Sequence, residues 1–234
     1  MYRLDPRRGY GRGMHVLLAD SPPIWEPSLA TSLFAGTGSM GNGSAMRVAP
    51  LGAYFRDDLA ECATQARLSS EVTHSHPEAV AGAIAVACTA ARLSRSPGSD
   101  SWNGVFDDVL AVLPDSAVRD GVQRARDLGP DAEWWRAAMM LGTGERVLAE
   151  DTVPFCVWSA VKHRGRFEDA MWATVSGLGD RDTTCAIVAG ILFADEQMAA
   201  AVPEAWQTRM EPGVVPELAS KADAGEPPTA PNWA

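Results

Sequence analysis

Ser75-His-Pro-Glu-Ala-Val-Ala-Gly-Ala-Ile-Ala-Val-Ala-Cys-Thr-Ala-Ala-Arg-Leu93 is the stretch that sets the architecture. Ser75 and Glu78 have capping-box spacing, and Pro77 falls where a first-turn proline is tolerated. The spacing predicts a helix from Ala79 to about Leu93. Ala79, Gly82, Ala83, Ala87 and Ala90 keep its surface small, so neighbouring helices can approach closely, which places it at the centre of the fold. The run Ala79 to Ala91 is also the longest weakly polar one in the chain. It is shorter than the ~20 residues a membrane helix needs.

Outward from this helix the chain reads as helices joined by Gly/Pro punctuation, with no run of strand alternation and no internal repeat. On the N-terminal side, residues 1–24 carry Pro6, Gly9, Gly11, Gly13, Pro22 and Pro23 and read as irregular. A short helix fits around Glu26–Phe34, followed by a glycine-dense loop, Gly36-Thr-Gly-Ser-Met-Gly-Asn-Gly43. An apolar stretch from Ser44 to Phe55 is broken at Pro50, and Asp57 or Asp58 caps a helix to about Ser70. On the C-terminal side, helices are expected near Phe106–Leu113, Ser116–Leu128 and Glu133–Met140. Asp151-Thr-Val-Pro154 opens another to about His163, with Pro154 in its first turn. Phe167 to Ser176 follows, then a loop, Gly177 to Thr184, feeding a helix to about Ala194. The expected fold is all-α: a helical domain over 1–211 and a Pro-rich acidic disordered tail over 212–234.

The 234 residues carry 20 Lys+Arg against 30 Asp+Glu, a net charge of −10. That balance argues against a protein that coats nucleic acid or an anionic membrane. At 46% hydrophobic and 21% charged residues the body should fold. Arg3, Arg7, Arg8 and Arg12 have no long apolar core behind them, so the N-terminus does not read as a secretory signal. Cys62, Cys88, Cys156 and Cys185 form no CxxC pair. They read as buried reduced thiols of a cytoplasmic protein.

Three constellations carry chemistry. In Gly38-Ser-Met-Gly-Asn-Gly-Ser-Ala-Met-Arg47, backbone N–H groups can cradle phosphate oxygens, with the Ser39 hydroxyl and Asn42 amide as further donors. A tight turn alone needs the same glycines, and Arg47 either clamps a phosphate or bonds carbonyls structurally. Thr73-His-Ser-His-Pro77 sets His74 to meet a ligand while His76 and Pro77 shape the turn; capping and packing is the simpler account. No third Cys or His stands nearby for zinc. In Gly179-Asp-Arg-Asp-Thr-Thr184, two carboxylates followed by hydroxyls suit Mg²⁺ or Ca²⁺, or Asp182 merely caps the next helix.

Taken together and in this order, the run Gly41 to Gly52, the Thr73–Pro77 motif and the Gly179–Thr184 motif resemble the ADP-ribosylglycohydrolase family. That family includes the enzyme that removes ADP-ribose from dinitrogenase reductase. Asp5-Pro-Arg-Arg-Gly-Tyr-Gly11 and Asp151-Thr-Val-Pro-Phe155 extend the resemblance more weakly, over most of residues 5–195. The resemblance implies a compact orthogonal all-α domain with two Mg²⁺ ions in a cleft. It implies hydrolysis of the glycosidic bond between ADP-ribose and a protein side chain, often arginine. By it, Asp180, Asp182 and Thr183 match metal ligands; Ser39, Gly41, Asn42 and Gly43 match the diphosphate and ribose loop; His74 matches a ligand-contacting histidine. Met40 stands where family members often place an aromatic residue that stacks on the ligand.

The family also begins with a GDALG-like motif and a Thr-Asp-Asp-Thr motif, which supply the other metal ligands and an acidic residue important for catalysis. Neither is present, so the catalytic residue is unassigned and the chain reads as N-terminally truncated. At most one weakly held Mg²⁺ is expected, and apolar helix faces should be exposed. Three readings follow. One is an enzyme, acting on an ADP-ribosylated protein with its missing half restored by an upstream start or a separate polypeptide. The second is a relative that binds ADP-ribose or a nucleotide without cutting. The third is a gene fragment.

Overall fold

The computed structural model describes residues 9–19, 27–95 and 101–207. The chain divides into two compact units, Met1–Ala201 and Val202–Ala234. The expected tail over 212–234 lies outside the described residues. The first unit holds α1 (Arg12–Ala19), α2 (Pro27–Gly36), α3 (Gly43–Arg47), α4 (Ala49–Tyr54), α5 (Leu59–Glu71) and α6 (Pro77–Arg95). It continues with α7 (Trp102–Val112), α8 (Ala117–Leu128), α9 (Trp134–Leu141), α10 (Ala149–Lys162), α11 (Phe167–Ser176), α12 (Arg181–Leu192) and a 3₁₀ turn, Glu196–Ala201. The second unit contributes one short helix, α13 (Glu204–Gln207). Among the described residues there is no strand, only an antiparallel bridge between Gly41 and Leu148. The fold is all-α.

Helix α6 is the hub. Every residue from Ala79 to Ala91 is buried, as expected of a helix without a polar face. Helices α3, α4, α5, α7, α8, α10 and α12 all pack on it. Cys62, Cys88 and Cys156 are buried free thiols and Cys185 is partly covered.

Several local expectations change. Residues 12–19 are helical rather than irregular, because Met14 to Ala19 forms an unbroken run between the glycines and the prolines. The break after α3 falls at Val48, and Pro50 sits in the first turn of α4, where its missing N–H costs nothing. Helix α10 starts at Ala149, so Pro154 lies inside it instead of in the first turn. The capping box at Ser75 does not close. Ser75 Oγ donates to Ala30 O at 3.1 Å, and the Glu78 N–H donates to His76 Nδ1 at 3.1 Å. The Glu78 carboxylate accepts from the N–H groups of Ala117 (2.9 Å) and Val118 (3.0 Å), capping α8 across the fold. Asp58 caps α5 as expected, accepting from Ala60 and Glu61 N–H at 3.0 Å each.

Candidate functional site

Four segments converge on one cavity of about 660 Å³: the start of α1, the Thr37–Gly43 loop, the Thr73–His74 turn, and the start of α12. The residues that the resemblance matches to the ligand loop, the histidine and the metal ligands all line it. Ser39, Met40, Gly41, Asn42, Gly43 and His74 form one side; Asp180, Asp182 and Thr183 form the other.

The glycine loop is held from two directions. Two residues preceding it turn the chain in left-handed backbone, Phe34 (φ 52) and Ala35 (φ 60). Gly38 (φ +74) lies against the next turn: a Cβ there would come within 2.2 Å of Ser75 Oγ, so only glycine fits. On the far side, Asn42 N–H donates to Val147 O at 3.2 Å and Ala149 N–H to Met40 O at 3.1 Å. Val147 makes this pairing from a left-handed φ of 58, a strained state for a β-branched residue.

Several loop donors are therefore already engaged. The N–H of Gly38 goes to Leu33 O (3.0 Å) and that of Gly41 to Ser39 Oγ (3.3 Å). The buried Asn42 side chain donates through Nδ2 to Thr152 Oγ1 (3.0 Å) and to Asp180 Oδ2 (3.1 Å). With both amide hydrogens used, Asn42 braces Asp180 instead of offering N–H donors to a ligand. This bond ties the glycine loop to the carboxylate loop at the cavity wall. Thr152 Oγ1 in turn donates to Leu148 O at 2.7 Å, which locks the brace to α10.

Asp180 stands just before α12. Its N–H donates to Thr143 O at 3.1 Å and its carbonyl accepts from Thr184 N–H at 2.9 Å. The Asp182 carboxyl is held below the usual carboxylate range, first by hydrogen bonding with the Asp180 side chain, then by its own N–H and that of Thr183. Thr183 is buried, its hydroxyl 3.6 Å from Met46 Sδ. Two adjoining carboxylates and a hydroxyl form a hard oxygen donor set that fits one hard divalent cation, with water or ligand oxygens completing its shell. Among the described residues no group of three or more His, Cys, Asp or Glu side chains gathers.

His74 is buried, and its pKa is pushed down to about 4, first by burial and then by the Arg47 guanidinium. Arg47 turns out to be structural: it donates to Ser69 Oγ (2.8 Å), Ser69 O (2.9 Å) and Thr73 Oγ1 (2.8 Å). His76 caps its own turn.

Part of the wall comes from residues that were not singled out above as site residues. Arg12 and Met14 reach the cavity from α1, and Phe34 and Met46 add apolar surface. Phe34, directly ahead of the glycine loop, carried a usable signal in its position; Arg12 and Met14 did not, since only the tertiary fold brings α1 there. A second hollow, lined by Trp134, Trp135, Met139 and Leu178 among others, abuts the first at Val147 and Asp180. Trp135 is 54% exposed there, whereas Trp158 is fully buried.

This chain belongs to the ADP-ribosylglycohydrolase family, whose profile matches residues 2–230. It is similar to ADP-ribosylhydrolase ARH3 of Bos taurus and of Homo sapiens, in each case 26% identical over 246 residues, covering 90% of this chain and 65% of the relative. An uncharacterised protein of Archaeoglobus fulgidus is 30% identical over 175 residues, covering 74% of this chain and 54% of that protein. The chain spans less than two thirds of the length of these relatives.

Proposed function

We propose that the cavity binds the ADP-ribose part of an ADP-ribosylated protein, and that the chemistry at it is hydrolysis of the glycosidic bond to the modified side chain, arginine being the first acceptor to test. The observation that supports this best is the Asn42 brace. It sets the Asp180 carboxylate at a fixed place beside the glycine loop, in one cavity with His74 that is large enough for a nucleotide-sized ligand.

In this reading Asp180, Asp182 and Thr183 hold Mg²⁺, which when bound supplies Lewis-acid polarisation and a template for ribose oxygens. Gly41 and Gly43 let the ligand approach the loop backbone closely, and Ser39 adds a hydroxyl. Met40, with Met14, Phe34 and Met46, gives it apolar contact. Asn42 keeps Asp180 aimed, and the neutral His74 ring donates a hydrogen bond at the loop edge. Arg12 lies along the same wall, where a guanidinium favours a diphosphate. A cytoplasmic location belongs to this reading and is supported by the four free cysteines.

The test is calorimetry of the 234-residue chain with ADP-ribose, with and without Mg²⁺, alongside release of ADP-ribose from arginine-modified protein. Binding that tightens with Mg²⁺ and weakens at least tenfold in Asp180→Asn supports the site. Turnover at saturating Mg²⁺ establishes the hydrolase. A second reading, binding without cutting, is favoured by one specific observation: among the described residues, two carboxylates, Asp180 and Asp182, line the cavity. Tight binding with no turnover would select it, and a flat titration would reject both.

A further inference from the structure

A chain of hydrogen bonds behind the cavity decides what the His74 ring can do. Arg47 is a donor only. Its Nη2 reaches Thr73 Oγ1 at 2.8 Å, so the threonine hydroxyl is the acceptor of that bond. Thr73 Oγ1 also lies 2.8 Å from His74 Nδ1. With its oxygen facing a cation, the hydroxyl turns its own hydrogen toward the ring, and Nδ1 accepts it. A neutral imidazole whose Nδ1 accepts carries its proton on Nε2.

The protonated ring is disfavoured independently. It would place Nδ1–H against the hydroxyl and a second positive charge beside the guanidinium in a buried site. The backbone of His74 is fixed as well: its N–H donates to Ser70 O at 2.7 Å and its carbonyl accepts from Ser70 Oγ at 2.9 Å. Nε2 faces the glycine loop. A Cβ added at Gly43 would lie 2.9 Å from it, and one at Gly41 3.6 Å.

We propose that Arg47 and Thr73 are positioning residues that hold His74 in the neutral Nε2–H tautomer, so that it presents one N–H donor to a ligand oxygen over the Gly41–Gly43 turn. His74 is then a fixed donor and not a general base. The identity of the ligand rests on the ADP-ribose reading above; the tautomer does not.

The experiment is ¹⁵N-histidine labelling of the full chain and long-range ¹H–¹⁵N correlation near neutral pH, with His74 assigned by His74→Gln. The expected wild-type spectrum shows a proton-bearing Nε2 and an unprotonated, hydrogen-bonded Nδ1. Thr73→Val and Arg47→Met move the ring to a mixture of tautomers, and Thr73→Ser restores the wild-type pattern. ADP-ribose affinity falls about tenfold in Thr73→Val, the loss of one well-placed hydrogen bond, and recovers in Thr73→Ser. A wild-type ring protonated at Nδ1, or a folded Thr73→Val with the wild-type signals, overturns the proposal. The wild-type spectrum decides even if the variants fail to fold. Absence of ADP-ribose binding by the wild type overturns the functional reading and leaves the tautomer to the spectrum.

Discussion

At the level of single residues, His74 couples the site to pH. Its pKa is about 4 in the folded protein, against an ordinary value of 6.5. Between these values the unfolded chain binds more protons than the folded one, so stability rises with pH. The contribution is complete above pH ~6.5 and is lost as pH falls toward 4, by about 3 kcal/mol in all. Urea unfolding at intervals from neutral to acid pH should show wild type losing that much more than His74→Gln; parallel curves would contradict the assignment. Gly43→Ala tests the same ring from the other side. The added methyl meets His74 Nε2 at 2.9 Å, and the ring is tied back through Thr73, so it must give up its place. The expected result is at least a tenfold loss of ADP-ribose affinity together with a loss of about 1 kcal/mol of stability. Both residues were visible in the sequence, because Gly-Asn-Gly and Thr-His are short motifs whose chemistry is local. What Asn42 does was not, since its partners Thr152 and Asp180 lie 110 and 138 positions away.

The helices show where local reading succeeds and where it is overridden. Asp57 or Asp58 was read as a cap and Asp58 is one, because an N-cap bonds within its own first turn. Ser75 and Glu78 have the same kind of pattern, yet the neighbouring α8 start offers two unpaired N–H groups and takes the Glu78 carboxylate. Glu78→Ala should therefore cost about 1–2 kcal/mol and lower Tm by about 3–8 °C through α8, while Ser75→Ala costs less. Equal effects of the two changes would restore the capping box. The connection before α10 offers a stabilising change. Val147 is 55% exposed and sits at φ 58, so Val147→Gly removes strain and little packing. Thermal denaturation should show a gain of about 0.5–1 kcal/mol, the relief of a left-handed residue offset by the freer unfolded glycine.

Across the whole molecule, the central place of α6 follows from composition alone: thirteen consecutive buried positions, Ala79–Ala91, can be satisfied only at the middle of a helical cluster. The cavity was less predictable, because its wall is assembled from segments as distant as Arg12 and Thr183, and no periodicity encodes their meeting. The same close packing makes the hub sensitive to single methyl groups. Gly52 of α4 faces the backbone of α6, and a Cβ there would lie 2.1 Å from Ala87 O and 3.0 Å from Ala90 Cβ. A carbonyl inside a helix cannot rotate aside, so Gly52→Ala must push α4 off α6 as a unit. Gly190 of α12 is a milder case, with its added Cβ 3.1 Å from Ala49 Cβ, a contact that small shifts relieve. Gly52→Ala should lose about 3 kcal/mol or fail to fold, and Gly190→Ala about 1 kcal/mol or less. Because α3 also rests on α6 and begins at Gly43, the folded fraction of Gly52→Ala should bind ADP-ribose more weakly than Gly190→Ala. Chemical denaturation with calorimetry on the same samples measures both quantities. A Gly52→Ala protein as stable as wild type would mean that α4 does not lie against α6 at this distance.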